Sequence, residues 1–263
     1  LSVNAFNPQS WNRYIYVLNN PLLYVDPLGL WEIYYKDVEE EKKGNDGKIT
    51  KVFVRREIYV KKSKDGDNGA SLAKQLGLKG KDAEKFAAKI GNGDNIRLSE
   101  QGGDVGRVFK GVEKGLTEQV KWEAKNPGKG GGPYNADCSE TACNIGFNIG
   151  NLQSFSVQEA DKMLLGETFI SDGSIMESPG ASSVSASDAK VGDIVRWADS
   201  NNKPKHFANF IFTDDSGQPV VFSKSGGGGR YEYGTTNEIT SAYDYGSVRG
   251  INKGDTGFYR PKR

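Results

Sequence analysis

Cys138 and His206 are the residues whose types and placement can do chemistry. Cys138 stands in Asn135-Ala-Asp-Cys-Ser-Glu-Thr-Ala-Cys143, where a helical pattern begins straight after a Gly-rich lead-in. His206, the chain's only histidine, opens the strand-like run His206-Phe-Ala-Asn-Phe-Ile211. A thiol at a helix start and a distant imidazole are the two parts of a thiol nucleophile and its base. The thiolate is the reactive form, and a free thiol is mostly protonated at neutral pH. Unpaired N–H groups in a helix's first turn favour the anion. A nearby imidazole lowers the thiol further and later protonates the leaving group. Cys138 sits between Asp137 and Ser139, a polar setting that suits an exposed thiol, whereas Cys143 beside Ala142 reads as a small buried hydrophobe. The plainer reading of a lone strand histidine is a hydrogen-bonded structural residue.

Composition narrows the classes. The chain has 263 residues, 36% of them apolar, with a mean hydropathy of −0.62. Lys and Arg total 35 against 34 acids, a formal net charge of +1. That balance gives no reason to expect a nucleic-acid or membrane partner. No run approaches the roughly 18 apolar residues of a membrane span, and no signal-peptide pattern opens the chain. It begins at Leu1, which reads as a piece cut from a longer protein. Two cysteines do not make a disulfide framework, and with one histidine they fall short of a structural zinc set. No metal or cofactor is expected.

The elements that must position the pair follow in order. Residues 1–30 read as one short aromatic strand, 14–18, between the turn signals Asn7-Pro8, Asn20-Pro21 and Asp26-Pro-Leu-Gly29, with Asp26 capping a turn. Residues 31–62 alternate as a hairpin, with Trp31, Ile33 and Tyr35 on one parity. Residues 39–43 and Gly44-Asn-Asp-Gly47 are expected as a charged loop with a turn. A polar linker follows to residue 68. Helices are expected over 70–76, 82–90 and 104–124, the last with the stripe Val105, Phe109, Val112, Leu116, Val120. Gly-rich residues 126–133 end it. A helix over 138–149 would use Gly146 and Gly150 for close packing. Ser156-Val-Gln-Glu159 is a capping box for another that stops at Gly166. Residues 169–187 read as loop. Strands then dominate: 193–198, 206–213, 219–224, 230–234, 247–251 and 257–260. This is an α+β pattern, divided as 1–30, a hairpin and linker over 31–68, a helical region over 69–127, and a helix-on-antiparallel-sheet domain over 128–263.

Two stretches resemble known families. Asn12-Arg13-Tyr14, then Asn19-Asn-Pro-Leu22, closing on Asp26-Pro-Leu-Gly-Leu30, resembles the end of the RHS/YD-repeat core domain. That resemblance implies a large β-rich shell ending here, a variable C-terminal toxin or effector after it, secretion with the parent protein, and an immunity protein as a partner. The family cuts after its Asp-Pro-x-Gly-Leu motif, here after Leu30. The aspartates that cleavage needs would largely precede residue 1, so self-cleavage is not expected of this chain.

The second resemblance runs from about residue 131 to the end. Asp137-Cys-Ser139, Val191-Gly-Asp-Ile-Val-Arg-Trp197, His206-Phe-Ala-Asn-Phe-Ile211 and the closing Gly257-Phe-Tyr-Arg-Pro261 are similar in order to the NlpC/P60 and CHAP branch of papain-like cysteine hydrolases. It implies Cys138 as nucleophile, His206 as base and then acid, and the Cys138 N–H in an oxyanion hole. The family's third polar residue falls on the strand after the histidine strand, most closely at Ser223, with Lys224 and Ser225 as alternatives. Serine departs from the family's usual His, Asn, Asp or Glu. Glu140 replaces a common glycine, which implies a narrower cleft or a bias against acidic substrates. Peptidoglycan stem peptide is the implied substrate; a target-cell protein amide open to proteolysis, deamidation or acyl transfer comes second. A non-enzymatic RHS-associated binding module is the rival from another class, and charge balance argues against a nuclease. Gly226-Gly-Gly-Gly229 lacks the Gly-Lys-Ser/Thr ending of a phosphate loop and reads as a mobile loop near the cleft.

Overall fold

The computed structural model describes residues 31–62, 67–149, 156–171, 173–214, 216–251 and 257–262. The RHS-like stretch 1–30, with its expected strand and Asp26, lies outside the described residues.

Alternation at Trp31 and Ile33 starts β1 (Glu32–Lys43), which pairs antiparallel with β2 (Ile49–Lys61). Ile33 faces Val60 and Tyr35 faces Ile58, and Trp31, Ile33, Ile58 and Val60 are buried. The expected charged loop over 39–43 is strand instead: Glu39 to Lys43 pair with Phe53 back to Ile49, leaving a short turn in which the Gly47 φ is +79°. Cross-strand backbone bonds do not need apolar side chains, so exposed charged residues extend the ribbon. A two-residue β3 (Ile96–Arg97) adds to β2; it is too short to alternate and so left no sequence signal.

The expected helical stretch holds α1 (Gly69–Gln75), α2 (Gly80–Ile90) and α3 (Gly103–Lys125). Val105, Phe109, Val112 and Leu116 of the α3 stripe are buried, and Val120 is half-buried. Then come α4 (Cys138–Phe147) and α5 (Val157–Leu165), the latter opened by the Ser156/Glu159 capping box and closed by Gly166 at φ +79°. The stretch 169–187 corrects the loop reading. It contains most of the ribbon β4 (Thr168–Ser171) with β5 (Ser174–Glu177), and then β6 (Ala181–Val184). Serine-rich strands at a sheet edge carry little apolar alternation, and partners alone reveal them.

The main sheet comprises β7 (Ile194–Ala198), β8 (Pro204–Thr213), β9 (Pro219–Lys224), β10 (Tyr231–Thr235) and β12 (Phe258–Pro261), with β6 at its edge. Its order is β10-β9-β8-β7-β12-β6, and β11 (Ser247–Val248) also pairs β7. Every pairing is antiparallel. A helix absent from the sequence reading, α6 (Thr236–Tyr243), follows β10 directly. Its signal was visible as the capping box Thr235-x-x-Glu238.

Three clusters of buried side chains divide the core. One joins Trp31, Val60, Leu72 and the α3 stripe to Val191, Ile211, Phe222 and Tyr231. It therefore crosses the boundary expected at residues 127 and 128. The second packs Ala142, Cys143 and Phe147 of α4 and Met163 of α5 on Ile194, Phe207 and Tyr259. The third lies on the sheet's other face and gathers Val195, Trp197, Ala208, Phe210, Val221 and Ile239. Among the described residues no helix is long and apolar enough to cross a membrane. The fold is mixed α+β with antiparallel sheets.

Candidate functional site

Asp137 caps α4. Its carboxylate accepts from the Glu140 N–H at 2.9 Å and the Ser139 hydroxyl at 2.7 Å, and Glu140 returns the bond to the Asp137 N–H at 2.8 Å. This capping box fixes Cys138 as the first helical residue. Glu140 is itself buried in that box, so its carboxylate helps to hold the helix start. One turn on, the Asn209 amide donates to the Ala142 carbonyl at 2.9 Å and ties α4 to β8.

These contacts bring the Cys138 sulfur to the start of β8, where it receives the Phe207 N–H, with smaller contributions from the Ser139 N–H and its own. The expected depression of its pKa is reversed. Burial, with the Asp137 charge adding to it, pushes the thiol up to about 12. Cys138 is only 6% exposed, and Asp137 has already taken an N–H of the first turn, so the helix start has less left for a thiolate. Cys143 is fully buried, as its apolar neighbours predict, and its thiol is also raised.

His206 pairs with Trp197 across β7 and β8. Its ring lies 5.3 Å from the Trp197 ring and stacks on Tyr245 at 4.1 Å with an interplanar angle of 11°. It is fully buried, and neither ring nitrogen has a hydrogen-bond partner. Burial drives its pKa down to about 3. Trp197, Ala208 and Phe210 pack in the third cluster, while Phe207 packs with α4 in the second. The thiol thus meets the β8 backbone next to His206, while the imidazole lies with Trp197 on the face of the third cluster; both groups are neutral, and no hydrogen bond joins them.

The three candidates for the third group separate. Ser223 lies opposite Ala208, fully buried, and its hydroxyl has no hydrogen-bond partner, so it does not hold the ring. Lys224 donates from Nζ to the carbonyls of Gly226 at 3.1 Å, Gly227 at 3.1 Å and Gly229 at 2.7 Å. Burial lowers it to about 8 against the opposing charges of Asp137, Cys138 and Glu140. The four-glycine loop therefore turns carbonyls onto a cation, the reverse of a phosphate cradle. It also packs: Gly228 lies against the Tyr134 ring and accepts from the Gly132 N–H at 2.9 Å. Ser225 donates to Glu232, which also accepts from the Tyr243 hydroxyl at 2.6 Å.

Glu232, Tyr243 and Tyr245 complete the surroundings of His206 without a motif in the sequence to mark them. Tyr243 stacks on Tyr245 at 5.2 Å, and Tyr245 on His206. Inward-facing Glu232, between Tyr231 and Tyr233, was the available signal; nothing local links it to His206.

An α+β protein with a cysteine in the first turn of a helix, set against a histidine-led strand, is the class these features define. Compared with protein-family models, curated proteins and solved structures, the chain matches none.

Proposed function

We propose that the chain is a papain-like thiol hydrolase that cleaves amide bonds with Cys138 and His206, carried as the secreted C-terminal effector of an RHS-type protein. The observation that supports this reading most is the contact of the Cys138 sulfur with the Phe207 N–H, which sets the thiol beside the backbone of the only histidine. In the resting chain the proton sits on sulfur, because the thiol is raised and the imidazole lowered. Substrate must open the buried pair and bring the ring onto Sγ. His206 then takes the thiol proton, sulfur attacks the amide carbonyl, and first-turn N–H groups face the oxyanion. The imidazolium protonates the leaving amine, and water releases the acyl group. Peptidoglycan stem peptide is the proposed substrate, with the RHS shell and an immunity protein as partners; a target-cell protein amide is the alternative.

Purified chain incubated with muropeptides should release new amino groups, and Cys138→Ala should abolish the release while leaving the circular dichroism spectrum unchanged. Activity surviving in a folded Cys138→Ala protein would sink the proposal. Burial of both groups without a shared hydrogen bond favours a second reading, a non-enzymatic module in which they are packing residues. Absence of any amide cleavage by the wild-type chain, with the Cys138→Ala variant less stable to urea, would select it.

A further inference from the structure

We propose that Tyr245 is the positioning residue for His206, backed by Tyr243 on Glu232, in place of a polar group on β9. A side chain that holds a catalytic imidazole normally does so by a hydrogen bond to one nitrogen. Here both nitrogens are without one, and the ring is fixed by its faces and edges instead. Tyr245 lies nearly parallel to it at 4.1 Å, and Trp197 closes on it at 57°. Offset stacking and tilted contacts of this kind orient aromatic rings.

The stack has its own support. Tyr243 stacks on Tyr245 in turn, at an interplanar angle of 18°. Its hydroxyl donates to Glu232 at 2.6 Å, and Ser225 donates to the other carboxylate oxygen. Glu232 faces Ser223, which faces Ala208, so the carboxylate and the imidazole leave the same side of the sheet. The backbone helps as well: Asp244 and Gly246, on either side of Tyr245, hold φ of +51° and +84°. A Cβ at Gly246 would lie 2.4 Å from the Ala198 carbonyl oxygen, so the segment is pressed onto the end of β7.

The catalytic consequence rests on the hydrolase reading; the positioning does not. Because His206 is the only histidine, its imidazole protons give one assignable set of NMR signals in the full chain. Tyr245→Phe should keep the cross-relaxation between the imidazole and the Trp197 indole, and Tyr245→Leu should lose it while the amide spectrum stays folded. Glu232→Gln should keep contacts between Tyr245 and His206, and Glu232→Ala should weaken them. An imidazole that stays on Trp197 in Tyr245→Leu, or contacts untouched by Glu232→Ala, would overturn the proposal. On muropeptides, Tyr245→Leu should lower kcat at least about tenfold with little change in KM, and Tyr245→Phe should restore it. A wild-type chain that cleaves nothing would end the hydrolase reading and leave the NMR result to decide the positioning.

Discussion

The Phe207 N–H points at the sulfur of Cys138, so the first turn of α4 and the start of β8 meet at the thiol. With the thiol raised to about 12, its thiolate fraction grows tenfold per pH unit throughout the neutral and mildly alkaline range. Iodoacetamide labelling of Cys138, followed by peptide mass spectrometry, should therefore accelerate about tenfold per unit from pH 7 to 9. A rate already level at pH 7 would mean a preformed thiolate and would contradict the neutral pair.

His206 makes stability depend on acid. Its pKa falls from 6.5 to about 3 on folding, so between those values the unfolded chain binds a proton that the native chain refuses. Stability is then complete above about pH 6.5 and declines as pH falls, by about 1.4 kcal/mol per unit from this group. His206→Leu should remove that slope in urea titrations at pH 4 to 6.5. Cys138 acts at the other end. Raised from 9.0 to about 12, it keeps its proton where the unfolded chain loses one, and stability declines as pH rises through that window.

Gly115 permits the approach of α3 to the sheet. A Cβ there would lie 2.7 Å from the Phe222 ring and 2.8 Å from the Tyr231 ring, both buried. Gly115→Ala should cost about 1–3 kcal/mol in thermal or urea unfolding. Gly227→Ala, which meets nothing within 4 Å, should stay within about 0.5 kcal/mol. Equal effects at the two positions would count against the packing explanation.

Glu113 holds the hairpin to α3. Its carboxylate accepts from the Ile58 N–H at 2.8 Å, the Ser99 hydroxyl at 2.9 Å and Arg97 at 2.9 Å, the first two in a buried setting. The paired Glu113 carboxylate is also the first reason the Arg97 guanidinium is raised. Glu113→Ala leaves an edge N–H and the Ser99 hydroxyl without their acceptor, while Arg97 keeps Glu57 and Glu100, and should cost about 1–3 kcal/mol by urea denaturation. A loss below about 1 kcal/mol would show that water replaces the carboxylate.

Periodicity and caps carried much of the fold. The α3 stripe, the Ser156/Glu159 box and the strands at β8 and β9 are set by residues within a few positions of each other, so they are legible in order. Burial of Cys143 was legible for the same reason; burial of Cys138, whose polar neighbours suit an exposed thiol, was not. The charged half of β1, serine-rich β6 and two-residue β3 were not, because distant partners decide whether they are strands.

The sequence by itself determined a thiol at a capped helix start, a single histidine at a strand start, and an α+β order of elements. Tertiary structure decided their state. Burial at the junction of α4 and β8 raises the thiol and lowers the imidazole, against what a helix start alone predicts. The same packing leaves Ser223 without a partner and sets Tyr245 against the ring. Desolvation and stacking depend on which distant side chains exclude water from a group, and no local spacing encodes that.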